Sequence, residues 1–72
     1  MKEKVISYLN RQYEEYKRLM ETKPNWFKPI ESRNRMMDRC FGVVMFADEI
    51  GVDSADIMKI WDEWKIKVDS IF

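Results

Sequence analysis

Apolar residues in the first third of the chain fall at Ile6, Leu9, Tyr13, Tyr16 and Met20, in alternating steps of three and four, with Val5 and Leu19 beside them. That is the period of a helix with one stripe turned towards a core. The opposite face carries Lys4, Arg11, Glu14, Glu15, Lys17, Arg18 and Glu21. Glu14–Arg18 and Lys17–Glu21 stand four residues apart, where opposite charges lend a helix small support. Pro24 disfavours helical geometry at the residue before it, so the pattern predicts helix 1 over about Lys2–Thr22. The connection at 23–29 holds two large apolar residues, Trp26 and Phe27, expected either to fold back over the core or to form an exposed recognition patch. Two helix starts stay open here: Asn25 capping a first turn, or Pro29 opening the next helix at its first position.

The second predicted helix, about 30–50, breaks the amphipathic rule. It begins basic, with Arg33, Arg35 and Arg39. From Met36 it turns apolar on nearly every face, through Met37, Cys40, Phe41, Val43, Val44, Met45, Phe46, Ala47 and Ile50. A helix apolar all round needs cover on more than one side, which makes it the central helix of a three-helix domain. Two neighbours do not necessarily cover it fully, and the excess points to self-association. Gly42 inside it costs about 1 kcal/mol relative to Ala, and close approach of another helix backbone is the expected compensation.

Between Phe46 and Ile57 the chain changes direction. Gly51 supplies the left-handed conformation that ends a helix. Asp53 stands as an N-cap, with Val52 before it and Ile57 four residues after it in the positions of a hydrophobic staple. Helix 3 is predicted over about 54–70, with the stripe Ile57, Ile60, Trp61, Trp64, Val68 and Ile71. Asp53 and Asp56 at its start complement the helix dipole, and Lys65 and Lys67 lie in its second half. The expected fold is all-α: residues 1–72 as a single three-helix domain, with a tight turn between helices 2 and 3 and a longer connection after helix 1.

Size narrows the functions on offer. A chain of 72 residues buries only about 60% of its unfolded surface and leaves little room for a deep, dry pocket. Enzymatic activity is therefore not expected. Thirteen basic and thirteen acidic residues cancel. The halves do not: residues 1–39 hold ten Lys/Arg against six Asp/Glu, and residues 40–72 hold three against seven. Such a split can orient a dimer or a partner, although solvated helix faces produce it too. One cysteine, Cys40, precludes an internal disulfide and points to a reducing compartment. The N-terminus has no apolar run of signal-peptide length, and no window approaches the ~20 apolar residues of a membrane span. The expected location is the cytoplasm.

Candidate chemistry is sparse. The absence of His removes the commonest metal ligand and the commonest neutral-pH base. Asp48–Glu49, Asp53–Asp56 and Glu14–Glu15 have no His partner and none of the spacings of a calcium loop or di-iron motif, so caps and solvated surface account for them. Cys40 lies in the apolar part of helix 2 and reads as a buried small hydrophobe. No catalytic, cofactor-binding or metal-binding residue is assigned, and no small-molecule substrate is evident.

One motif does resemble a functional one. In DNA-binding helix-turn-helix proteins a small residue precedes the turn glycine by four positions, and apolar residues follow the glycine at six and nine. Here these are Ala47, Gly51, Ile57 and Ile60, with Phe46, Ile50 and Val52 also apolar. The resemblance implies a DNA-reading helix 3. Its outward residues, however, are Asp53, Ser54, Ala55, Met58, Lys59 and Asp62, an acidic surface to set beside phosphates. The basic residues Lys28, Arg33, Arg35 and Arg39 sit at the far end of helix 2. Nucleic acid is therefore disfavoured as a partner, and a DNA-binding, transcription-regulating module is the alternative rather than the leading reading. Met and aromatic residues recur at adaptable protein contacts, which nominates Trp26, Phe27, Met36, Met45, Met58 and Trp61. The expectation is a non-enzymatic protein that works through protein–protein contacts, as a homodimer or with another protein.

Overall fold

The computed structural model describes residues 1–71, and their regular secondary structure is entirely helical: α1 (Lys2–Thr22), α2 (Pro29–Glu49) and α3 (Ser54–Asp69). Each boundary falls within one residue of the expected one. Helix α1 ends as Lys23 adopts the left-handed conformation (φ 46°) and donates its N–H to the Leu19 carbonyl at 2.9 Å. A turn follows, in which Phe27 N–H donates to the Pro24 carbonyl at 3.0 Å. Lys28 is extended and Pro29 is the first residue of α2, so the proline start holds and Asn25 caps nothing.

The α2–α3 connection is a complete left-handed helix stop followed at once by a cap. Gly51 has φ 99°; its N–H donates to Asp48 O at 3.3 Å, and Val52 N–H reaches back to Ala47 O at 3.1 Å. These are the paired bonds that satisfy the last carbonyls of a helix ending in glycine. Asp53 Oδ1 then accepts from the amides of Ala55 (2.9 Å) and Asp56 (3.2 Å). Val52 packs against the core that contains Ile57, as a staple requires.

Long-range pairs define the topology. Lys2 meets Asp56, Leu9 meets Trp64 and Tyr13 meets Lys67, so α1 and α3 run parallel. Gln12 meets Arg39, Arg33 meets Asp69 and Phe41 meets Trp61, so α2 is antiparallel to both. The result is an up-down-up bundle in which every helix touches the other two.

Four residues from each helix make the core: Val5, Leu9, Tyr13 and Tyr16 from α1; Met36, Cys40, Val44 and Ala47 from α2; Ile57, Trp61, Trp64 and Val68 from α3. Phe27 closes one end, edge-on to Tyr16 with ring centroids 6.2 Å apart. Only part of the expected α1 stripe is fully buried, since Ile6, Leu19 and Met20 lie at its margins. The Trp64 indole N–H donates to the Leu9 carbonyl at 2.8 Å, a buried polar bond that joins α3 to α1.

Gly42 departs from expectation. A Cβ built on it would meet nothing within 4 Å, so no helix backbone of this chain approaches it. The residue is exposed on the outer side of α2. The two glycines therefore respond to alanine with opposite signs. Gly42→Ala stabilises the monomer by about 0.5–1 kcal/mol through helix propensity. Gly51→Ala forces a Cβ into the left-handed region and destabilises by about 1–2 kcal/mol. Thermal unfolding followed by circular dichroism at low protein concentration separates the two, at about 4–8 °C per kcal/mol for a domain of this size.

Candidate protein-contact surface

Which side of α2 turns inward decides what the protein shows to its surroundings. Met36, Cys40, Val44 and Ala47 recur at steps of four and three and form the buried row. The remaining apolar residues of its second half then have to face out. Phe41, Met45, Phe46 and Ile50 are all exposed, Phe46 by 60%. On the α3 side, Phe41 leans on Trp61 with ring centroids 5.7 Å apart. The antiparallel register places exposed Met58 at the level of Met45. On the α1 side, Phe46 and Ile50 line a groove of about 350 Å³ with Val5, Tyr8, Val43 and Ala47, rimmed by Lys4 and Arg11. The outer face of the second half of α2 thus carries several exposed large apolar side chains, with exposed Asp48 and Glu49 among them.

The nominated contact residues divide cleanly. Trp26 (70% exposed), Met45 and Met58 are at the surface. Phe27, Met36 and Trp61 belong to the core, and Met36, only 2% exposed, offers nothing to a partner. Trp61 is held by a stack on Trp64 at 5.3 Å and by Lys65, whose Nζ lies 5.7 Å from its ring centroid. Of the linker pair only Phe27 folds inward, while Trp26 stands edge-on to it at 6.4 Å. Phe41, Phe46 and Ile50 were not nominated. Their signal was the excess of apolar residues on α2, which did not say which row would be buried. The turn residues Gly51, Val52, Asp53 and Ile57 all take their expected structural places.

Two ion pairs tie helices together. Lys2 pairs with Asp56 at 3.3 Å, and Arg33 pairs with Asp69. The basic first half of the chain is thus tied to the acidic second half within one molecule. Arg39 donates to Gln12 Oε1 at 2.9 Å, and with Arg35 it lines a groove that also holds Glu15 of α1. Ser54 donates its hydroxyl to Asp48 at the corner. Among the described residues no group of three or more His, Cys, Asp or Glu is placed to hold a metal ion. Also among them, no helix is long and apolar enough to cross a membrane.

The corner that resembles a helix-turn-helix has a different geometry. Such motifs cross their helices at about 90–120°, which separates them within a few turns. Here α3 stays against α2 from the Gly51 turn to the Arg33–Asp69 pair near the other end of both helices. The corner is a helical hairpin, and the outward face of α3 keeps the exposed Asp53 and Asp62 expected of it.

No family model, no curated protein and no solved structure matches this chain.

Cys40 is fully buried on the inner row of α2. Burial pushes its thiol from the ordinary 9.0 up to about 11, and the Arg39 guanidinium only partly opposes this. The thiolate is the reactive species, so at pH 8 the native thiol is about a thousandth ionised and shielded as well. Cys40 should react with a disulfide reagent such as DTNB only as fast as the chain opens, and at once in denaturant. Between pH 9 and about 11 the unfolded chain loses this proton while the folded one keeps it. That contribution to stability is therefore present below pH 9 and falls as pH rises through this window. Unfolding curves of wild type and Cys40→Ala across the window measure it, because the slope due to the thiol is absent from the variant.

Proposed function

We propose that this chain is a small non-enzymatic helical protein of the cytoplasm that acts through protein–protein contacts and forms a homodimer. The observation that carries this reading is the group of exposed large apolar side chains on the second half of α2: Phe41, Met45, Phe46 and Ile50. Exposed apolar surface of this kind on a small domain is characteristic of association sites, because isolated monomers gain from keeping it covered.

The places taken by the reactive groups support a non-enzymatic role. Asp53 caps α3, Asp56 pairs with Lys2, and Cys40 is enclosed with a raised pKa. The apolar groove between α1 and α2 has exposed Lys4, Ser7 and Arg11 as its charged or hydroxyl side chains beyond Tyr8. A catalytic pocket instead needs convergent, desolvated polar groups. A single reduced cysteine is consistent with a reducing compartment.

Sedimentation equilibrium from about 1 to 100 μM, the range of a moderate self-affinity, tests the reading. The wild type should move from its 8.8 kDa chain mass towards twice that value. The double variant Met45→Glu/Phe46→Gln should remain monomeric with unchanged helicity, since both residues are exposed in the monomer. A wild type that stays monomeric throughout removes the homodimer.

A further inference from the structure

The exposed face of α2 carries more information than its apolarity. Arg35, Asp38, Gly42, Met45 and Glu49 succeed one another at steps of three, four, three and four, and all five are exposed. That is the spacing of a helix–helix seam. Its centre is Gly42 with Met45, flanked by Phe41 and Phe46. Its two ends carry opposite charges. Arg35 stands seven residues before Gly42 and Glu49 seven residues after it. Among the described residues neither has an ion-pair partner within the chain.

We propose that α2 docks on α2 of a second copy, antiparallel across a two-fold axis at Gly42, with Arg35 of each copy paired to Glu49 of the other. This rests on the self-association reading above and adds the partner's orientation and register.

A two-fold axis at Gly42 sets each residue before it against the residue equally far after it in the other copy. Arg35 then faces Glu49, and symmetry makes the contact twice. A parallel arrangement would set Arg35 against Arg35 and Glu49 against Glu49, which repel. Asp38 lies one turn from Arg35 and beside Arg39. Each end of the contact therefore brings Arg35 and Asp38 together with Glu49 of the second copy, while Arg39 stays on Gln12. At the axis, the missing Cβ of Gly42 lets the two backbones approach closely. The bundle itself makes no use of that space. Phe41, Met45 and Phe46 then pack around the crossing and lose the water that covers them in the monomer.

Charge reversal tests the register. Arg35→Glu alone and Glu49→Arg alone should each weaken dimerisation about tenfold, because two attractive pairs become repulsive. The double variant R35E/E49R should recover wild-type affinity. Mixing the two single variants should give a heterodimer tighter than either variant with itself, since both pairs are then complementary. Gly42→Ala should weaken the dimer several-fold while raising the melting temperature of the dilute monomer. Circular dichroism of each variant confirms that the bundle is intact. If the wild type dimerises but the single reversals bind like wild type, or the mixture binds no better than its components, this register is wrong. Dimerisation would then use another surface, such as the groove between α1 and α2. Unchanged or tighter dimerisation of Gly42→Ala overturns the crossing point. A wild type that is monomeric at about 100 μM overturns both this inference and the reading beneath it, and leaves the α2 face to a different partner.

Discussion

The bond from the Trp64 indole to the Leu9 carbonyl, 2.8 Å long and buried, fixes how α3 lies along α1, and the use of the rest of the chain follows from it. A buried indole N–H left without an acceptor costs about 1–3 kcal/mol, so the position of Trp64 is narrowly defined. With Trp64 in place, Trp61 stacks on it and the pair fills much of the space between the helices. Tyr13 and Tyr16 fill more from α1. Interiors are packed to near-crystalline density, and what remains suits small and slender side chains. Helix α2 supplies Met36, Cys40, Val44 and Ala47 to that remaining volume. Its large residues, Phe41 and Phe46, are left outside by the same constraint.

This explains which features could be read from the chain and which could not. Helix ends depend on local chemistry, so Pro24, Pro29, Gly51 and Asp53 announced them: each acts on its own φ angle or on amides within a turn. The stripes of α1 and α3 were legible because polar residues interrupt them. Helix α2 has no such contrast after Met36, and two rows with similar hydropathy compete for the interior. The choice between them depends on the volumes presented by α1 and α3, a tertiary fact that periodicity does not contain. Periodicity therefore marks Met36 as a contact residue although it is core, and does not single out the exposed Phe41 and Phe46. Trp26 and Phe27 pose the same problem in two residues. The Pro24–Phe27 turn presents Phe27 to the interior beside Tyr16 and leaves Trp26 exposed.

The same limit applies to the helix-turn-helix resemblance. Gly51, Val52 and Asp53 specify a tight reversal, and the resemblance detected that correctly. The crossing angle is set farther away, where Phe41 meets Trp61 and Arg33 meets Asp69. Contacts along the whole length of α2 and α3 hold them side by side and turn a corner motif into a hairpin. Charge follows a similar logic. The contrast between the two halves of the sequence suggested an outward-directed asymmetry. Part of it is satisfied inward, because up-down-up topology brings Lys2 to Asp56 and Arg33 to Asp69.

Arg35 and Glu49 are among the charged residues of α2 that take no part in that internal pairing, and they bracket the one glycine that neither a turn nor close packing requires. Glycine within a helix costs about 1 kcal/mol relative to alanine, and Phe41 and Phe46 leave half or more of their surface in water in a lone monomer. In a bundle of this size, with a stability on the order of 7 kcal/mol, such a cost is a sizeable fraction of the total. A contact between two copies accounts for the glycine, the phenylalanines and the end charges with one geometry. Packing within a single copy leaves the glycine unexplained and covers the phenylalanines only in part. The outer face of α2 is thus the place where the chain departs from what would make its monomer most stable, and the proposed contact gives those departures a use.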